Sequence, residues 1–500
     1  MTEALKISRK FKKKLINMKL NIKKIELFLL FFLLLAGFFV RLYRFDGPVA
    51  DWHSWRQADT SAVSRNFVND GFDLLHPRFD DLSNVPSGIY DNPKGYRFVE
   101  FPIYNVLQAG SFMIFGFFTI EQWGRLVSIF ASLISSVFLY LIVKKHLNLQ
   151  SALMAAFFFL FLPFNIFYSR TILPDSLMIA FILGSIYFFD LWINKDKFSI
   201  FNFQFFITLA FTIGAFLIKP FAAFFMLPMV YLAFEKFGFV FLKKWQLWVF
   251  AILSLLPFVL WRVWMAQFPE GIPQSAWLLN GNNIRFKGAF FHWIFAKRVG
   301  ELILGYWGLF IFIFGFLVVK NKNFLYFFSF ILSSLIYVSV VATGNVQHSY
   351  YQIPTIPSIA IFLGIGSIFL LNPKEYFSKF KTISVFIICV MLMFSFSWFS
   401  VRDYFNINNR SIVIAGEAID KLIPKNAKII ALYDGDTSFL YQTKRKGWAS
   451  FEKPLPEMIK MGASYLVISN PNPEDVGLGK TYKIVSFTKD YLLLDLQKKP

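Results

Sequence analysis

The segment from Asp51 to Arg65, DWHSWRQADTSAVSR, concentrates side chains able to move protons and hold phosphates. Two carboxylates (Asp51, Asp59), an imidazole (His53), two guanidinium groups (Arg56, Arg65) and two indoles (Trp52, Trp55) follow directly on the first long apolar stretch. A carboxylate can deprotonate or orient an acceptor hydroxyl. A guanidinium can grip a phosphate and stabilise its charge as it departs. The same segment also reads as a solvated loop with interfacial tryptophans, which are common at membrane surfaces.

Residues of the same kind recur at a distance. They are Glu100 in FVEFPIYN, Arg170 and Asp175 in YSRTILPDS, Lys219 in LIKP, and Gln347, His348, Tyr350 and Tyr351 in GNVQHSYYQIP. Together such a set could support glycosyl transfer from a polyprenyl phosphate sugar. Asp or Glu would act on the acceptor hydroxyl, and Arg56, Arg170 or Lys219 would hold the donor phosphate. Two acids from separate loops, such as Asp59 and Asp175, could instead share a divalent cation, since carboxylates suit Mg and Mn. His348 reads equally as a ligand, a phosphate donor or a packed surface histidine.

The elements that must position these residues are membrane helices. The 500-residue chain is 56% hydrophobic and 20% aromatic, with 68 Phe, mean hydropathy +0.53 and only 16% charged residues. Apolar runs of about 18 or more residues read as spans. The net charge of +21 is explained by Lys-rich loops on one face of the membrane rather than by nucleic-acid binding. Cys389, the sole cysteine, lies in an apolar run, so no intrachain disulfide or cysteine metal site exists.

Residues 1–24 form a basic tail, expected in the cytoplasm, and 25–40 the first span, with no small-residue cleavage site after it. Residues 43–123 make a long first outer loop. Within it, 103–120 is apolar enough to cross. If it stays on the outer side, Lys144/Lys145, Lys195/Lys197, Lys236/Lys243/Lys244, Lys320/Lys322 and Lys374/Lys379/Lys381 all fall inside; if it crosses, all fall outside. The positive-inside rule selects an interfacial or re-entrant helix. Further spans fall near 124–143, 150–168, 175–193, 203–218, 220–235, 246–265, 301–319, 323–342, 353–371 and 382–401, about eleven in all. The expected fold is thus an α-helical polytopic membrane domain over 25–401, followed by a small extracytoplasmic α/β domain over 402–500. In the latter, 427–432, 464–469, 483–487 and 491–496 read as strands and 412–422 and 456–461 as helices. This topology gathers the polar candidates on one face and the lysine clusters on the other. No GxxxxGK[ST], GxGxxG after a strand, HExxH or GxSxG motif is present, which argues against an ATP-driven pump.

Over roughly residues 24–371 the chain resembles the membrane-embedded glycosyltransferases of the C superfamily, in particular the bacterial protein O-mannosyltransferase and lipid A aminoarabinose transferase family (glycosyltransferase family 39-like). The resemblance is carried by RLYRFDGP after the first helix, SAVSRNF at 61–67, Glu100-Phe101-Pro102 and Glu121-Gln122-Trp123-Gly124-Arg125-Leu126. Pro174-Asp175, Lys219-Pro220, and Tyr351 with Pro354 and Pro357 complete it. It implies an inverting transferase in a bacterial inner membrane. The enzyme would move a hexosyl or pentosyl unit from a polyprenyl phosphate carrier to a hydroxyl or phosphate of a glycan, lipid or protein acceptor. The family's Asp-Glu pair, whose Asp is the catalytic base, falls on Arg56-Gln57 when aligned on 61–67. Asp59 is therefore the expected substitute and Asp51 the second choice. The family's Lys after the Glu of Glu-x-Pro is Phe101 here, so the phosphate contact passes to Arg56, Arg170 or Lys219. The alternatives are a lipid-linked glycan flippase or transporter, and an O-antigen-ligase-like transferase using a diphosphate donor.

Overall fold

The computed structural model describes residues 24–319, 322–373 and 377–500. The basic tail, apart from Lys24, lies outside the described residues, as do Lys320 and Lys374. Among the described residues, seven helices are long and apolar enough to cross a bilayer, or eight if one bent pair counts as a single span. Around them run shorter apolar helices, including residues 24–40, Leu149–Phe161 and Phe203–Ile218. The helix Ile356–Leu371 is buried along nearly its whole length. Helix Gly308–Val318 packs against it where Gly315 meets Gly366; a Cβ on either would lie 1.9 Å from a carbonyl oxygen of the other helix, so only glycine permits that approach.

Two of the expected spans are interrupted. The 150–168 run breaks into Leu149–Phe161 and Pro163–Tyr168. Pro163 cannot donate an N–H, and the Asn165 side-chain amide donates to the Phe159 carbonyl instead. The 301–319 run is not one span. Helices Gly288–Ile303 and Gly308–Val318 meet at 107°. The first carries a π-helical segment, His292–Ile303, and Gly305 and Tyr306 turn the chain with φ of 46° and 57°.

Helix Ile103–Phe115 is about 20 Å long at ~1.5 Å per residue, short of the ~30 Å hydrocarbon core. It packs on the outer-loop helix Ser54–Asp70. That helix is buried although polar, because its hydroxyls and carbonyls find partners. Asn105 donates to the Thr60 carbonyl (2.7 Å), Gln108 to the Ser61 hydroxyl (3.0 Å), and the Ser64 hydroxyl to Gln108 (2.8 Å).

The C-terminal domain is a five-stranded sheet of β1 (Ile429–Leu432), β2 (Gly447–Trp448), β3 (Tyr465–Ser469), β4 (Lys483–Phe487) and β5 (Tyr491–Asp495), in the order β2-β1-β3-β5-β4. β1 pairs in parallel with β2 and β3, and β5 antiparallel with β3 and β4. Helices Arg410–Leu422 and Thr437–Gln442 contribute to the core on one face, Met458 to that on the other. The outer loop docks on this domain. Leu82 donates its N–H to the Gly447 carbonyl (2.7 Å) and Gly447 donates to the Asp80 carbonyl (2.9 Å), closing the β2 edge.

Candidate active site

Most of the polar residues singled out in the sequence meet at one rim of the helix bundle, and they pair off among themselves. Arg56 pairs with Glu100. Arg170 donates to Asp51 at 2.7 Å. Lys219 donates to both Asp175 oxygens at 2.8 Å, at the start of helix Asp175–Ile193, where a carboxylate also complements the helix dipole. The opposite rim holds a different set, Glu26 with Lys144 and Asp190 with Lys145 and His146.

Asp59 takes a partner that sequence spacing did not reveal. Arg97 donates to its Oδ2 at 2.6 Å, and the Thr437 hydroxyl donates to its Oδ1 at 2.7 Å. Asp59 is 4% exposed, and it faces a cavity of ≈ 420 Å³. The outer-loop helix supplies Trp55, Arg56 and Asp59 to the cavity wall, the loop behind it supplies Asp81 and Arg97, and Tyr350 and Tyr351 supply aromatic faces. Thr437 and Gly435 come from the turn after β1. Ligands in open α/β sheets collect beyond the carboxyl ends of strands, and that rule applied to Asp434-Gly435-Asp436-Thr437 is a signal that could have found this contribution.

Arg262 also lines this cavity, from the end of helix Trp245–Met265. Among the described residues it has no carboxylate partner; its contacts are the Met265 sulfur at 3.5 Å and the Phe258 ring at 5.9 Å. It is the cavity's uncommitted cation. Arg56 stays charged: burial opposes its charge, but Glu100, Tyr350 and Asp59 outweigh burial and hold its pKa above the usual range. Burial pushes the Asp81 carboxyl up to about 7, with Asp59 adding to the effect, although the Ser83 N–H (3.0 Å) and hydroxyl (2.9 Å) both donate to it. Asp436 is raised by burial first and by Asp59 as well.

His348 stands half-buried beside the cavity, its ring stacked on Tyr350 at 5.6 Å and edge-on to His53 at 5.4 Å. Burial, then Arg298, lowers its pKa. Burial, His348 and Arg298 push His53 down to about 3. Both imidazoles are therefore neutral at physiological pH, which disfavours a cationic role for His348. Tyr351 is buried, stacked on Tyr350 at 4.6 Å, with the Lys219 ammonium 6.0 Å from its ring.

Two expected groupings are arranged differently in the structure. Asp59 and Asp175, the expected divalent-cation pair, are each engaged by another residue. Each already faces a cation of the protein, Arg97 and Lys219, and no group of three or more His, Cys, Asp or Glu side chains among the described residues could hold a metal. Arg170, 1% exposed, lines a different cavity from Asp59. There Asp51 accepts from both Arg170 and Gln57 (2.6 Å), so Asp51 binds the outer loop to the bundle rather than facing the Asp59 cavity.

This arrangement, a helical membrane domain with a long first loop under a small sheet domain, recurs in solved structures. A family model described as dolichyl-phosphate-mannose-protein mannosyltransferase matches residues 94–264. No curated protein matches the chain in sequence. In fold it is similar to ArnT from Cupriavidus metallidurans bound to undecaprenyl phosphate, with TM-score 0.64 and 12% identity, covering 94% of this chain and 97% of that one. It is also similar to the oligosaccharyltransferase AglB of Archaeoglobus fulgidus in complex with an inhibitory peptide and a dolichol-phosphate. There the TM-score is 0.54 and the identity 10%, over 88% of this chain and 69% of that one. An Archaeoglobus fulgidus oligosaccharyltransferase in complex with Zn and sulfate matches with TM-score 0.53 and 11% identity, over 87% of this chain and 67% of that one. The resemblance seen in the sequence thus holds in fold and, over residues 94–264, in the matched family model.

Proposed function

We propose that the protein is an inverting glycosyltransferase that moves one hexosyl or pentosyl unit from a polyprenyl phosphate carrier to an acceptor hydroxyl or phosphate, on the outer side of a bacterial inner membrane. The observation that carries this reading is Asp59, a buried carboxylate open to an aromatic-walled cavity that also holds Arg56, Arg97 and Arg262. The carrier lipids named for the two similar structures, undecaprenyl phosphate and dolichol-phosphate, support a lipid-linked donor.

In the proposed step an acceptor oxygen attacks the anomeric carbon opposite the carrier phosphate. The new C–O bond forms as the bond to phosphate breaks, inverting the centre. Asp59 takes the acceptor proton when the acceptor is a hydroxyl. Arg97 and the Thr437 hydroxyl fix its two oxygens in place, so Thr437 ties the sheet domain to the reacting group. The electron pair leaves on the carrier phosphate, whose charge falls to Arg262 and, through its remaining donors, Arg56. The trade-off is visible in Arg56, which shares its charge with Glu100, whereas Arg262 is free to take a phosphate. An apolar cavity of ≈ 290 Å³ between helices Asp175–Ile193, Phe203–Ile218 and Trp245–Met265 offers the isoprenoid chain a place in the bundle.

The test is a reconstituted assay with polyprenyl monophosphate sugars, polyprenyl diphosphate sugars and an acceptor extract, run with and without a chelator. Acceptor-dependent release of polyprenyl phosphate from the monophosphate donors alone, unaffected by chelator, is expected. Turnover of diphosphate donors only would make it a ligase-type transferase. Passage of intact lipid-linked sugar across the vesicle without release would make it a flippase.

A further inference from the structure

Arg170, chosen in the sequence as a phosphate ligand, ends in a second cavity that shares no lining residue with the Asp59 cavity. This cavity measures ≈ 480 Å³. It lies at the seam between the two domains, walled by the turn after the first helix (Arg44, Asp46), by Arg125 and Arg170, and by the connection into the sheet domain that ends at Arg410. Arg125 and Arg170 are each 1% exposed and form its base. Arg44, Asp46 and Arg410 are exposed at its mouth.

Part of this charge is structural. Arg125 donates to the carbonyls of Phe45 and Gly47 (2.7 Å for the latter), and Arg170 donates to the Arg44 carbonyl (3.0 Å) and to Asp51. These bonds hold the turn 44–48 in place. They leave the Nε atoms of both arginines buried and without a hydrogen-bond partner. They also do not account for Arg410, which has no hydrogen-bond or carboxylate partner among the described residues. Nor do they account for Arg44, which reaches only the Phe405 carbonyl and the Asn406 side chain. Four guanidinium groups therefore surround a volume containing two carboxylates, one of which Arg170 already neutralises.

The rings beside this cavity are those of a membrane–water interface. Tyr43 packs on Phe405 at 5.1 Å and Trp398 on Phe405 at 5.8 Å. Tyr43 and Trp398 are exposed at the ends of the first and last apolar helices, where such rings sit at headgroup level. We propose that this cavity binds the phosphate of an anionic lipid headgroup, independently of the sugar-transfer site. Planar guanidinium donors match phosphate oxygens in pairs, and a headgroup held there would clamp the sheet domain to the membrane domain at their seam. Free phosphate shares the same chemistry, and the experiment separates the two sources.

The full-length protein in detergent is titrated with phosphatidylglycerol or phosphatidylcholine and read by native mass spectrometry, and in a second arm with inorganic phosphate and read by thermal unfolding. The variants are Arg410→Glu and, as a control, Arg402→Glu, an exposed arginine that does not line the cavity and lies over the Phe399 ring. The expected result is a preference for phosphatidylglycerol that falls about tenfold in Arg410→Glu, is kept in Arg402→Glu, and is not reproduced by inorganic phosphate. Arg44→Gln repeats the test if Arg410→Glu fails to fold. Stabilisation by inorganic phosphate with no lipid preference overturns the headgroup assignment. Equal binding of the two lipids with no response to phosphate, or equal losses in both variants, overturns the site altogether.

Discussion

Asp51 and Asp59 lie eight positions apart, are both buried, and both face an arginine, yet they serve different ends. Asp51 borders the seam cavity, with one oxygen taken by Gln57 and the other by Arg170, and its backbone carbonyl accepts from Asn408 (3.0 Å), so the loop, the bundle and the linker to the sheet domain converge on it. Asp59 is held as firmly, by Arg97 and Thr437, but borders an open volume with aromatic walls and an unpaired cation, Arg262. The two carboxylates differ in the volume they border: that of Asp51 lies at the seam of the two domains, and that of Asp59 carries the aromatic faces of Trp55, Tyr350 and Tyr351.

The contrast can be broken most forcefully at Asp51. Asp51→Ala leaves Arg170 as an uncompensated buried charge, which costs about 3–5 kcal/mol. Thermal unfolding of the purified variant checks this, and a midpoint equal to that of the wild type would remove Asp51 from the frame. Arginine substitutions sharpen the same distinction. Arg262→Ala is expected to raise the donor KM about tenfold or more by removing one charge-assisted phosphate contact, with the unfolding midpoint unmoved. Arg170→Ala should do the reverse, lowering stability while sparing donor affinity; steady-state kinetics beside thermal scans read both.

Asp81 supplies a pH test within the Asp59 cavity. Its carboxyl is raised from 3.8 to about 7 in the folded protein, so the folded state binds its proton more tightly than the unfolded chain. The stability this contributes is complete below 3.8 and is lost as pH rises through 7. Asp81→Asn removes that loss, so its stability should decline less between these values, by about 1–3 kcal/mol at about pH 8. Parallel stability curves for variant and wild type would contradict the raised value. The smallest effect is expected at the seam of the two domains. Tyr441 donates to Glu121, its hydroxyl also lies 2.9 Å from that of Ser61, and Arg65 lies 4.1 Å over its ring. Tyr441→Phe should cost about 1 kcal/mol, measured by denaturant unfolding, with the cation–π contact retained.

Much of the architecture was legible because it rests on local pattern. The apolar runs and the alternating segments that became β1, β3, β4 and β5 all belong to single stretches of chain. The site was legible in its residue types and in Asp59, Arg56, Tyr351 and the rim that gathers them. Its partners were not. Thr437 reaches Asp59 only because the sheet domain folds back over the first loop, a contact spanning 378 positions, and Arg97 reaches it across 38 positions that no helical or strand period relates. The pairing of Arg170 with Asp51 spans 119 positions, and no spacing rule distinguishes it from a free phosphate ligand. β2 is only two residues long and shows no alternation, and the 301–319 bend depends on a π-helical turn that hydropathy does not register.

The central claim is that Asp59 is the general base of sugar transfer, and the direct measurement is polyprenyl phosphate release by purified, reconstituted Asp59→Asn at saturating donor with a hydroxyl acceptor. A kcat lower by roughly 10²–10⁴-fold is expected, with donor binding retained and a folded protein by thermal scan. A folded Asp59→Asn that transfers sugar at the wild-type rate would contradict it.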